Sequence, residues 1–170
     1  AITKSGTNNL SGTLVGNFRD SSWNAQDPVL NRVLPYSNQQ ISGTAGGPII
    51  QNKLHYFGNY EYEHQPLTSI WQTPYPAFNL HLANTRIEHK AGARLDFQFS
   101  PALRMAARGQ RWNYLLPFNP ADTSTAHPST APEATRQSDQ LLISLTQVVS
   151  NRAVNEVRGG YSSVGWEYTV

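Results

Sequence analysis

The sequence predicts an all-β chain of long, antiparallel, up-and-down strands: an open segment of about seven strands from the wall of a large outer-membrane β-barrel. Three observations predict it. Between Ile87 and Phe99 every second residue changes character. Ile87, His89, Ala91, Ala93, Leu95, Phe97 and Phe99 fall on one side; Glu88, Lys90, Gly92, Arg94, Asp96 and Gln98 fall on the other. Side chains alternate faces along a strand, so this is one long strand with an apolar and a charged surface. Strands of soluble sheets usually stop after about five or six residues, whereas about a dozen suit a wall between lipid and a water-filled lumen. The second observation is that short and long connections alternate along the chain. The third is a composition poor in charge and rich in aromatic residues.

Seven strands are expected in order: Leu10–Arg19, Tyr36–Gly46, Leu54–Glu63, Arg86–Phe99, Ala102–Tyr114, Ser138–Ser150 and Ala153–Tyr168. Gly47–Lys53, Ser100-Pro101 and Ser150-Asn151-Arg152 join them tightly at one end. Asp20–Pro35, His64–Thr85 and Leu115–Gln137 join them at length at the other. Short periplasmic turns opposite long external loops are the topology of an outer-membrane barrel. Proline supports this map. Pro28, Pro35, Pro66, Pro74, Pro76, Pro117, Pro120, Pro128 and Pro132 lie in or beside the long loops, Pro48 and Pro101 in short turns, and none interrupts an expected strand. The segment Asn119–Thr135, nearly all Pro, Ala, Ser and Thr, reads as a floppy loop.

The strand from Leu54 carries Leu54, Tyr56, Gly58, Tyr60 and Tyr62 on one face. At about 3.4 Å per residue and a ~40° tilt, Leu54 to Tyr62 climbs roughly 20 Å, near the ~25 Å of an apolar band. Tyr56, Tyr60, Tyr62, Leu95, Phe97 and Phe99 are therefore the expected membrane-facing residues. Cross-strand tyrosine pairing in a soluble sheet is the alternative for the tyrosines.

Over 170 residues the charged fraction is 14%, the aromatic fraction 11% and the net charge +2. With so little net charge and no Lys/Arg cluster, nucleic acid is not an expected partner. No apolar run reaches the ~18 residues of a spanning helix, and a barrel needs none. There is no cysteine, so no disulfide or thiolate metal site is possible within the sequence. The chain opens on Ala-Ile-Thr without an initiator Met or signal peptide and stops at Trp166-Glu167-Tyr168-Thr169-Val170, mid-strand, which reads as a piece of a larger protein.

No residue carries a catalytic pattern, and neither enzyme activity, cofactor nor metal is expected. Lys4-Ser5-Gly6-Thr7 is similar to the Lys-Ser/Thr-Gly element of penicillin-binding proteins, but no Ser is followed three positions on by Lys. His55, His64, His81, His89 and His127 show no helical pair. Glu61 and Glu63 share a face without an apolar pocket to raise a pKa. Arg94, Arg104, Arg108 and Arg111 are expected to neutralise Asp96, Glu88 and the two glutamates across a wet wall. Gly43-Thr44-Ala45-Gly46-Gly47-Pro48 lacks the ending of a phosphate loop and reads as a bend and turn.

Ile2-Thr3-Lys4-Ser5-Gly6-Thr7-Asn8, followed by Leu10-Ser11-Gly12-Thr13-Leu14, resembles the junction of plug and first barrel strand in TonB-dependent outer-membrane receptors of the Oar-like, carboxypeptidase-regulatory-like branch. Ser42 through Glu61, with Gly46-Gly47-Pro48 and Tyr56-Phe57-Gly58, is similar to the next segment of that branch, in order and spacing. Asn155 through Tyr161 is similar to a later strand start. The resemblance makes Thr3, Lys4, Ser5, Gly6, Thr7, Asn8, Gly46, Gly47, Pro48, Tyr56, Phe57 and Gly58 motif positions. It implies a barrel of about 22 strands, residues 1–9 as the end of plug or linker, and 10–170 as a partial barrel. It also implies energised uptake of a ligand with a TonB system as partner. This stretch holds neither plug nor TonB-contacting segment, so transport is expected of the parent and not of this piece alone.

About seven strands cannot close a barrel, and open edges in lipid leave roughly ten unpaired backbone groups each, at several kcal/mol apiece. The edges must meet either the remainder of the barrel, with outer-membrane lipid outside, or identical copies. Leu141, Ile143, Leu145, Val148 and Val149 lie in an uncharged, β-prone run suited to self-association, so an extracellular cross-β homopolymer is the second expectation. A soluble lectin-like sandwich is the third. It would have to bury Glu88, Lys90, Arg94 and Asp96 in a dry core.

Overall fold

The computed structural model describes residues 4–26, 28, 31, 33, 36–71, 73–119 and 130–169. The alternating segments become seven strands: β1 (Ser11–Asp20), β2 (Ser37–Ile50), β3 (Leu54–Trp71), β4 (Leu80–Ser100), β5 (Leu103–Leu116), β6 (Glu133–Ser150) and β7 (Ala153–Thr169). They form one antiparallel up-and-down sheet in the order β1-β2-β3-β4-β5-β6-β7. No α-helix occurs among the described residues; Ser21–Trp23 and Pro76–Phe78 are single 3-10 turns.

The short-turn end is built from one repeated device. Register shifts fall at Pro48/Ile50, Gln98/Ser100 and Val148/Ser150, one beside each tight turn. Such a bulge accommodates Pro48, which has no amide to donate, inside the ladder opposite His55. The expected turn at Gly47–Lys53 is thereby shorter, because β2 continues to Ile50. Asn52 turns the chain with φ 61°, a left-handed conformation that asparagine tolerates. In the other two turns a serine oxygen accepts from the amide two residues on, Ser100 from Ala102 and Ser150 from Arg152, both at 3.3 Å.

At the opposite end the expected loop His64–Thr85 is mostly strand. β3 and β4 pair from Leu54↔Phe97 to Trp71↔Leu80, well past the last β2–β3 pair, Gln39↔His64, and the last β4–β5 pair, Ile87↔Leu115. A two-stranded hairpin thus projects beyond its neighbours. Pro66 sits within it opposite Thr85, contrary to the proline map. The position is tolerated because the β2–β3 ladder has already ended at Gln39↔His64, so no β2 acceptor waits for the missing amide. Likewise β6 begins at Glu133 rather than Ser138, so only the middle of the expected loop Asn119–Thr135 is connection, and residues 120–129 lie outside the described residues. The bases of two connections are tied by backbone bonds, Ser21 N to Tyr36 O at 2.7 Å and Asn119 N to Pro132 O at 2.9 Å.

A single sheet has no second layer to bury against, and the described residues contain almost no core. Leu116, Ala134 and Asn84, near the long-loop end, are buried, and so are Gly46 and Gly47 toward the tight turns, where the strap crosses. Asn84 is a clamp: its side-chain amide donates to the Phe118 carbonyl, and its oxygen accepts from the amides of Thr85 (2.8 Å) and Phe118 (3.3 Å). It holds the chain leaving β5 against β4.

Candidate functional site

Residues paired across a ladder share a face, so the registers sort the sheet into two surfaces. One row reads Leu14, Gly43, Tyr60, Ala91, Arg111, Asp139, Ser163 from β1 to β7. Toward the tight turns the next row is Gly12, Ala45, Gly58, Ala93, Gly109, Leu141, Tyr161. Below it, Gly47, Tyr56, Leu95, Ala107, Ile143 and Gly159 follow, and then Leu54, Phe97, Met105, Leu145 and Val157. This is an uncharged belt. Above it the same face turns polar, at Arg111 and Asp139 (3.7 Å apart) and then Asn113 and Gln137. Aromatic and imidazole rings gather at the upper border: Tyr60 Oη meets His89 Nδ1 at 2.7 Å, and the Tyr62 ring lies 5.1 Å from His89 and 6.4 Å from His64. Phe97 and Phe99 pack edge-on at 4.1 Å near the lower border.

The ladder therefore gathers Tyr56, Tyr60, Tyr62, Leu95 and Phe97 on one face, with Phe99 against Phe97. Leu141, Ile143 and Leu145 share that face. They lie on β6, which β5 and β7 pair on both sides, so backbone self-association through them requires opening a ladder; the outer strands are β1 and β7. Leu95, Phe99, Leu141, Ile143 and Leu145 each leave between 39% and 52% of their surface open. At the centre of the sheet the carboxylates of the other face are more enclosed, Glu88 at 13% exposed and Asp96 at 24%, whereas Glu156 and Arg158 on outer strand β7 are open. A flat single layer would expose both faces alike. The difference at the centre of the sheet is that of a wall curled toward its charged face, with the apolar residues on the convex side.

The charged face carries a connected network. Glu63 receives Asn38 Nδ2 at 2.8 Å and Arg86 at 3.3 Å; Arg86 reaches Glu88 at 3.5 Å; Lys90 joins Glu88 (3.6 Å) to Glu61 (2.6 Å); and the Trp112 indole donates to Glu88 at 3.1 Å. Arg94 grips Asp96 with Nε and Nη2 at 2.7–3.0 Å. Of the arginines expected to neutralise this wall, Arg94 does so. Arg111 lies on the opposite face with Asp139, and Arg104 and Arg108 have no acidic partner among the described residues. Arg86 and Lys90 pair with the glutamates instead. Residue parity alone could have placed Trp112 on this face, but nothing in the sequence gives the register that sets it against Lys90 and beside Glu88.

The motif segment before β1 runs along the same charged face. Asn8 Oδ1 accepts from the Asn52 amide at 2.9 Å and meets His55 Nε2 at 2.8 Å, while Asn8 Nδ2 donates to Asn52 Oδ1 at 2.6 Å. Gly6 presses on β3 so closely that a Cβ would collide with the Tyr56 carbonyl, which explains a glycine there. Lys4, Ser5, Gly6, Thr7 and Asn8 thus form a strap on the wall; Thr3 lies outside the described residues. Of the remaining motif positions, Gly46 sits opposite Phe57, Gly47 opposite Tyr56 and Gly58 opposite Ala45. The described residues hold no group of three His, Asp or Glu suited to a metal ion.

An open, single-layered sheet with an outward apolar belt and an inward charged wall is the architecture of an outer-membrane barrel segment. Residues 2–78 match the family model described as an outer membrane beta-barrel domain, a stretch that contains both motif segments. The match supports an outer-membrane barrel protein located in the outer membrane. No curated protein and no solved structure matches the chain.

Proposed function

We propose that this sheet is a sector of the wall of a TonB-dependent, Oar-like outer-membrane transporter, whose parent protein takes up a ligand with energy delivered through TonB. The observation that carries the wall is the inversion of burial: open leucines and phenylalanines on the convex side, paired charges on the concave side. β1 and β7 are outer strands, and in hydrocarbon their unpaired backbone groups would cost tens of kcal/mol, so further strands of the barrel are the partners that complete it. The TonB part of the reading rests on the motif segments and on the strap, which lies where a linker from a plug inside the barrel would enter.

The absence of cysteine makes the wall directly testable. Single cysteines replacing Leu95, Leu145, Asp96 or Ser144 in the outer-membrane protein carry an NBD label after reconstitution into vesicles containing doxyl lipid. Labels at 95 and 145 are quenched by the lipid, and labels at 96 and 144 by aqueous iodide. Equal quenching of both sets refutes the wall. For the energised step, the intact protein binds the purified periplasmic domain of TonB in biolayer interferometry; no binding overturns the transporter assignment and leaves the barrel standing.

A further inference from the structure

Four aromatic rings stand on the side of the wall that lipid does not reach. By parity and register, Trp112 and Tyr114 of β5 and Trp166 and Tyr168 of β7 lie on the charged, concave face, all toward the long loops. The outward belt does not account for them, and bare rings on a water-facing wall are costly. Neighbouring side chains hold them in place. Trp112 packs on Tyr114 at 5.9 Å and donates to Glu88 at 3.1 Å, and the Arg136 guanidinium lies over both Tyr114 (5.3 Å) and Trp166 (5.4 Å). Arg136 Nε has no hydrogen-bond partner among the described residues. Beside Trp112 opens a cavity of about 520 Å³, lined also by Glu61, Lys90, Gln110, Ser138 and Gln140. The amides of Gln110 and Gln140 and the Ser138 hydroxyl make no side-chain hydrogen bond among the described residues. Lys4, the described strap residue farthest from the tight turns, reaches the level of Asn59 and Gln110. The rings stand beyond it.

We propose that this upper concave wall is a binding surface for a neutral oligosaccharide. A pyranose has a face of C–H bonds that stacks on an aromatic ring and a rim of hydroxyls that both donate and accept. Rings set beside unengaged amide, hydroxyl and guanidinium groups supply both halves, the mixture of apolar area and a few placed polar groups that a small-solute site needs. The charges do not call for an ionic solute: around the cavity and the rings, Glu61, Glu63 and Glu88 stand against Arg86, Lys90 and Arg136, equal in number. Trp112 and Trp166 are two strands and one two-residue step apart, roughly 12 Å by strand spacing and rise, so the surface fits a chain of sugars rather than one. The inference deepens the transporter reading by naming a substrate class. It rests on that reading for a mouth open to the outside, with the plug lower down, where the strap enters.

Hydroxyl-radical footprinting of the native outer-membrane protein in detergent, read by peptide mass spectrometry, tests it without mutation. Trp112 and Trp166 oxidise in the free protein. A mixture of maltohexaose, cellohexaose, xylohexaose and mannohexaose slows both by at least about threefold relative to Trp23, because a bound ligand covers the rings it stacks on. Trp23, 74% exposed in the β1–β2 connection, is the internal reference for radical scavenging. Glycerol at the same hydroxyl concentration leaves the ratio unchanged. An unchanged ratio with the sugars, or the same slowing with glycerol, overturns the site. So do rings that fail to oxidise in the free protein, because plug or loop then already covers them. In calorimetry with each hexasaccharide singly, Trp166→Ala binds the protecting sugar at least about tenfold more weakly than the native protein, and Trp23→Ala binds it equally. Native affinity in Trp166→Ala refutes the assignment, and if that variant fails to insert, the footprint of the native protein decides. The NBD and TonB measurements decide the wall and the transporter separately, so a wall that stands without a sugar site is recognised as such.

Discussion

Placing an arginine at Leu145 separates a lipid-facing surface from a water-facing one. Leu145 lies on the belt beside Met105 and Val157 with 39% of its surface open. It is five residues from the end of β6 at Ser150. At about 3.4 Å per residue and a ~40° tilt it sits roughly 13 Å along a ~25 Å apolar band, near the middle. An arginine on the lipid side at that depth costs about 2–4 kcal/mol, a shift of roughly 30- to 1000-fold in the folding equilibrium. Ser144→Arg, one residue away and on the charged face between Ala106 and Arg158, costs at most about 1 kcal/mol, the like-charge penalty against Arg158 in a wet lumen. In water the Leu145 substitution would cost only about 1 kcal/mol, since the arginine stem keeps much of the leucine's contact. Guanidinium unfolding in lipid vesicles, followed by heat-modifiable gel mobility, reads the difference. Two variants within about 1 kcal/mol of each other would show that the belt does not face hydrocarbon.

Asn84→Ala removes the clamp on the N–H and C=O of exposed Phe118, for an expected loss of about 0.5–1.5 kcal/mol and faster amide exchange at 117–119; unchanged exchange refutes the role. Asn8→Ala releases the strap from Asn52 and His55, so proteolysis within residues 4–9 accelerates while the β4–β6 amides keep their protection. A strap that stays equally protected is held by something else. Glu88→Ala deprives Arg86, Lys90 and the Trp112 indole of their common acceptor and costs about 1–3 kcal/mol. Glu88→Gln keeps the acceptor for Trp112 and recovers part of that loss in the same denaturant titration; a silent Glu88→Ala would mean the network is solvated ornament on the wall.

The sequence alone determined the strands and their two-sidedness. Side-chain direction alternates with a period of two wherever a strand forms, so Ile87–Phe99 and Leu54–Tyr62 declared their faces before any pairing was known. It also located the three tight turns, where Asn52 acts through its own left-handed backbone and Ser100 and Ser150 through the amide two residues on. The β3–β4 hairpin was hidden by Pro66, Pro74 and Pro76, which read as loop residues until the structure showed that pairing of β2 with β3 stops short of Pro66. Which charges meet was decided only by the fold. Arg111 and Arg108 are close in sequence, but odd and even positions place them on opposite faces, and register, a property of two distant segments at once, gave Glu88 to Arg86, Lys90 and Trp112. Asn8 and Asn84 were silent for the same reason, since a single asparagine acquires its role from a partner more than thirty positions away. Alternation is local and survives in one strand; pairing, curvature and the strap exist only between strands.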